Sequence, residues 1–110
     1  MPGRETLERL EAALAVPLPG RVAAARTEIL AAAARRGLTD VRVFGSVARG
    51  DSTVDSDLDL LVHPHETTSL FDLAAFQVEV ERLVAAPVDV VSDRGSGPVM
   101  SRIIGDAVPV

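Results

Sequence analysis

The chain has no cysteine, no lysine and no tyrosine among its 110 residues. Without cysteine there is no disulfide framework and no thiolate to act as nucleophile or metal ligand. Without lysine, all eleven basic residues are arginines, which excludes a Schiff-base lysine or a phosphate-loop lysine. Arginine is then the only permanent cation available to phosphates. The first residues do not form a charged region followed by a long apolar stretch, so a soluble, cytoplasmic protein is expected, with no membrane partner. A net charge of −5 argues against a general nucleic-acid-binding face, because such faces work by neutralising phosphates. The length supports one domain with one modest core.

Chemistry concentrates in residues 45–59, GSVARGDSTVDSDLD. The apolar run 41–44 reads as a strand leading into a Gly45-Ser46 turn. Glycine lets backbone approach a ligand closely, and Ser46 adds a hydroxyl beside free N–H groups at the start of a short helical turn, a favourable place for phosphate. After a ten-residue gap beyond Ser46, Asp57 and Asp59 flank Leu58. Side chains two apart on a strand share a face, so both carboxylates aim at one spot while Leu58 and Leu60 point into a core. Two such charges about 4 Å apart repel by roughly 4 kcal/mol at an effective dielectric near 20, which a cation between them relieves. Oxygen ligands suit Mg²⁺, which takes one or two carboxylates together with substrate phosphates.

Around this stretch, Leu7, Leu10 and Leu14 mark a helix over 4–15, and Pro17 and Pro19 end it. A second helix is expected over 21–36, with Val22, Ile29 and Ala33 inward and Gly37 as its stop. Nearly balanced charge and a proline-rich turn favour packing of this pair against the sheet or a partner over DNA reading. A strand follows at 57–62, turning apolar on both faces from Leu61. Ser69 to Asp72 has the form of a capping box opening a helix that runs to 85, with Leu73, Phe76, Val80 and Leu83 as its core stripe. A third strand at 88–91, a helix at 99–106 and an extended piece at 108–110 complete a layered α/β (α+β in some schemes) arrangement around a small mixed sheet.

Three further positions carry open readings. Asp89 interrupts an apolar strand that disfavours it, so it is either an edge carboxylate facing water or a third functional acid. Arg49 can reach a triphosphate or pair with Asp51 or Asp55. His63 and His65 flank Pro64 and read as surface loop, and Asp55 precedes the regular strand and stays outside the metal set.

Gly45-Ser46, the ten-residue gap and Asp57-x-Asp59 resemble the signature of the polymerase-beta-like nucleotidyltransferase superfamily. The small size and the form GSVARGD…SDLDLLV are similar to its minimal nucleotidyltransferases (MNT), many of them antitoxins encoded beside a HEPN-domain toxin. The resemblance covers about residues 40–110. It implies a nucleotidyltransferase fold in a single domain, with 1–37 as a helical extension and 40–110 as the catalytic core. It implies Asp57, Asp59 and Asp89 as catalytic, metal-holding acids for two Mg²⁺, with Asp89 helping to activate the attacking hydroxyl. It also implies Gly45, Ser46 and Arg49 as nucleotide-binding residues, and ATP as the substrate whose AMP goes to a small helical HEPN-type toxin in a hetero-oligomer. Two features depart from the pattern. Residues 94–98 read RGSGP where relatives often carry several basic residues, and no helical acceptor domain is present. An antitoxin acting by contact alone, or transfer to an RNA end or small molecule, is the alternative.

Overall fold

The structure is a computed structural model and describes residues 16–110. The helix expected over 4–15 lies outside the described residues. Two short helices come first, α1 (Leu18–Ala24) and α2 (Arg26–Arg35), followed by strand β1 (Leu38–Phe44) and the single-turn helix α3 (Gly45–Arg49). Then come β2 (Leu58–Pro64), the long helix α4 (Leu70–Val84), β3 (Val88–Ser92), α5 (Pro98–Asp106) and β4 (Val108–Pro109). The four strands form one sheet in the order β3-β2-β1-β4. β1 runs antiparallel to β2 and β4, whereas β2 and β3 are parallel, so the sheet is mixed as expected. The parallel pair needs a crossover, and α4 supplies it.

The helix expected over 21–36 is two helices broken at Ala25, and it starts three residues earlier, at Leu18. Pro17 and Pro19 open α1 rather than merely closing off what precedes them. Proline lacks only an N–H that the first helical turn leaves unpaired anyway. Across the break, Ala25 N donates to Arg21 O and Ile29 N to Ala25 O, so the chain bends without losing its ladder. Val22, Ile29 and Ala33 are buried as expected.

β1 begins at Leu38, not Val41, and carries an irregularity between Thr39 and Arg42. Asp40, at φ 52°, sits at that kink, and Arg42 Nε donates to its carbonyl (3.0 Å). β2 begins one residue late, at Leu58, and runs through Pro64, so His63 belongs to the strand and not to a loop. Leu60, Leu61 and Val62 are all fully buried, which matches a strand covered on both faces along its second half. The capping box is present: Asp72 N donates to Ser69 Oγ (3.2 Å) and Ser69 N to Asp72 Oδ2 (2.9 Å).

The core lies between the sheet and the α1, α2 and α4 layer. Leu58, Leu60 and Val62 of β2 meet Ile29 and Ala33 of α2 and Phe76, Val80 and Val84 of α4. Leu83 does not join this stripe. It is 39% exposed, while Val84 is fully buried in its stead. α5 lies on the other side, against α3 and β1.

Candidate active site

Leu58 and Leu60 commit one face of β2 to the core, which turns Asp59 to the opposite face. There the parallel ladder pairs Asp59 with Asp89 of β3, and the antiparallel ladder pairs Asp59 with Phe44 of β1. One backbone bond fixes this register at its origin: Leu58 N donates to Pro87 O (2.9 Å), just before β3 begins. Asp57 is exposed and sits immediately ahead of β2. Asp89 is exposed as the second residue of β3.

The Asp59 carboxyl is pushed above its ordinary range, first by burial, then by the charge of Asp89, then by that of Asp57. Arg49 pulls in the opposite direction. The fold therefore brings Asp57, Asp89 and Arg49 within electrostatic reach of Asp59.

Gly45 and Ser46 come to the same place because Phe44, opposite Asp59, ends β1 and the chain turns at once into α3. Gly45 has φ 72°, a conformation that disfavours any residue with a Cβ. α3 is closed by Gly50 at φ 78° in the left-handed conformation. The Ser46 hydroxyl makes no hydrogen bond among the described residues, while its carbonyl accepts from Asp51 N (3.0 Å). Of the pairings open to Arg49, the one with Asp51 is present. Its Nε lies 3.5 Å from Asp51 Oδ2, a long contact between exposed groups that holds it weakly, and its charge still acts on Asp59.

The donor set is three carboxylates, which suits a hard, oxygen-seeking cation. Among the described residues no group of three acids or histidines converges closely enough to cage a metal alone. A cavity of about 640 Å³ lies between Val16–Arg21, the 52–56 loop and Ala85–Pro87, but none of the six candidate site residues lines it.

One group was not legible beforehand. Asp93, 14% exposed, receives Arg42 Nη2 at 2.6 Å and lies 2.8 Å from His63 Nδ1. Burial pushes its carboxyl up, but the His63 and Arg42 hydrogen bonds and charges together outweigh this and hold it below the usual range. Arg42, Asp93 and His63 come from three separate stretches of chain, so no spacing in the sequence signals the cluster.

This sheet, with its carboxylate pair in register beside a glycine-serine turn, is a nucleotidyltransferase fold. The nucleotidyltransferase domain matches residues 27–106, and the chain belongs to that family. It is therefore a nucleotidyltransferase. A provisionally named protein adenylyltransferase of Methanocaldococcus jannaschii is 35% identical over 69% of this chain and 83% of its own length. The protein adenylyltransferase MntA of Thermococcus cleftensis is 39% identical over 52% of this chain and 58% of its own. A solved structure provisionally described as a minimal nucleotidyltransferase superposes with a TM-score of 0.77 at 41% identity, covering 87% of this chain and 98% of the other. A toxin–antitoxin structure with AMP-PNP matches at TM-score 0.64 over 76% of this chain and 69% of that chain, with 19% identity, a likeness of fold alone. Among the described residues no helix is long and apolar enough to cross a membrane.

Proposed function

We propose that this chain transfers AMP from ATP to a hydroxyl group of a partner protein, as the enzymatic half of a toxin–antitoxin pair whose toxin is of the helical HEPN type. The observation that carries the chemistry is the register of Asp59 with Asp89 directly beside the Gly45-Ser46 turn. Two relatives named as protein adenylyltransferases support the acceptor class, and the toxin–antitoxin structures of the same fold support the partner. Residues 40–110 form the catalytic core in this reading. Residues 1–37 are an extension of the same domain in this reading, and its described part buries Val22, Ile29 and Ala33 in the shared core.

Asp57, Asp59 and Asp89 would hold Mg²⁺, which supplies charge neutralisation at the reacting phosphate and its leaving pyrophosphate. Ser46 and the unpaired N–H groups of the first α3 turn donate to the nucleotide phosphates. Arg49, held only loosely by Asp51, swings to the phosphate chain. Asp89, exposed on β3, accepts the proton of the attacking hydroxyl. The hydroxyl oxygen bonds to the α-phosphorus as the bond to pyrophosphate breaks, leaving AMP on the acceptor. Catalysis of this kind is mostly positioning and electrostatics, so few groups suffice.

The chain has no tyrosine, so AMP on a tyrosine must appear on another protein. Incubation of the complex with ATP and Mg²⁺, followed by intact mass spectrometry of both chains, tests the reading. The expected result is one or more AMP units on the partner alone. An unlabelled partner that is nonetheless fully inhibited would replace transfer with neutralisation by contact.

A further inference from the structure

We propose that Gly45 is a positioning residue for the Asp59 carboxylate, present chiefly to leave room for that side chain. This rests on the reading of Asp59 as a metal-holding acid. A Cβ built on Gly45 collides with Asp59 Oδ2, and its next two neighbours are Asp59 Cγ at 3.2 Å and Asp59 Cβ at 3.5 Å. All three nearest atoms belong to one side chain. Asp59 is short and half-buried on a central strand, with fully buried Leu58 and Leu60 on either side, so its carboxylate has little freedom to yield. A methyl group at position 45 therefore displaces the acid or distorts the Phe44–Ser46 turn.

Gly50 supplies an internal control. Its φ of 78° nearly equals the 72° of Gly45, yet a Cβ there meets nothing within 4 Å. Alanine at either position must take a positive φ, and only at position 45 does it also meet a carboxylate. The difference between the two substitutions isolates the contact with Asp59.

The test is a set of thermal melts in EDTA on the full chain: Gly50→Ala, Gly45→Ala, Asp59→Ala and the Gly45→Ala/Asp59→Ala double variant. Gly50→Ala is expected to lower Tm by about 5 °C, the effect of left-handed strain alone. Gly45→Ala should lower it at least about twice as far, and in the Asp59→Ala background its effect should fall to the Gly50→Ala value. A loss at position 45 that equals Gly50→Ala, or that persists without Asp59, overturns the proposal. Should Gly45→Ala alone fail to fold, folding of the double variant supports the proposal and its failure overturns it.

A second readout separates positioning from packing. Mn²⁺ titrated calorimetrically into the protein should bind at least about tenfold more weakly to Gly45→Ala, as for residues that orient metal ligands, and unchanged to Gly50→Ala. In the transfer assay kcat should fall while KM for ATP stays within about threefold. A raised KM with unaltered Mn²⁺ affinity would instead assign Gly45 to direct approach of the nucleotide. Coupled stability with Mn²⁺ binding that survives Asp59→Ala would overturn the metal reading of Asp59, and with it this role for Gly45.

Discussion

Asp59 and Asp89 stand opposite each other on adjacent parallel strands, and Asp59 bears the consequence. Burial and the neighbouring acids raise its proton affinity, while only Arg49 opposes. A fold that holds an acid against two others stores a local penalty that a bound cation relieves.

The first prediction follows from that penalty. Asp59→Asn should leave the metal-free fold intact and at least as stable as the parent, because it removes a charge that burial and repulsion disfavour. It should reduce transfer by ~100-fold or more, the scale of losing an electrostatic contact in a transition state. The parent should gain about 2.7 kcal/mol when Mg²⁺–ATP is present at 100 times its dissociation constant, and Asp59→Asn should gain far less. Thermal melts with Mg²⁺ and ATP against EDTA check both.

Asp93 gives a pH dependence of known sign. Its folded-state proton affinity is lowered from the ordinary 3.8, so its contribution is fully present above that pH. As pH falls below 3.8 through the lower folded value, the contribution is lost. Asp93→Asn should therefore cost about 2 kcal/mol at pH 7, where it weakens charged hydrogen bonds to Arg42 and His63. Urea titrations should show the gap between parent and variant closing below pH 3.8.

On α4, a pair of neighbours should differ in how much they stabilise. Val84→Ala empties a fully buried site and should cost about 2 kcal/mol, whereas Leu83→Ala, at 39% exposure, should cost under about 1 kcal/mol. Denaturant midpoints decide between them, and a larger loss at Leu83 would contradict the packing described above.

The sequence determined what local rules control. Alternation at residues 57–60 set Leu58 and Leu60 inward and Asp59 outward, and the capping residues Ser69 and Asp72 located the start of α4. The Gly45-Ser46 spacing to Asp57-x-Asp59 was enough to place the family. Tertiary structure decided what depends on partners distant along the chain. The helical stripe could end on Leu83 or Val84, and packing of α4 against the core buried Val84, a rotation that periodicity does not fix. Asp89 had an apolar context that allowed an edge acid or a site acid. Only the parallel register set by Leu58 and Pro87 put it beside Asp59. His63 looked like loop because Pro64 follows it, but β1 extends back to Leu38 and pairs with that end of β2, keeping His63 in the sheet and beside Asp93. In each case the sequence fixes which face or turn a residue prefers, while burial of apolar area across elements selects its neighbour, because hydrophobic packing is non-directional and acts only once the elements meet.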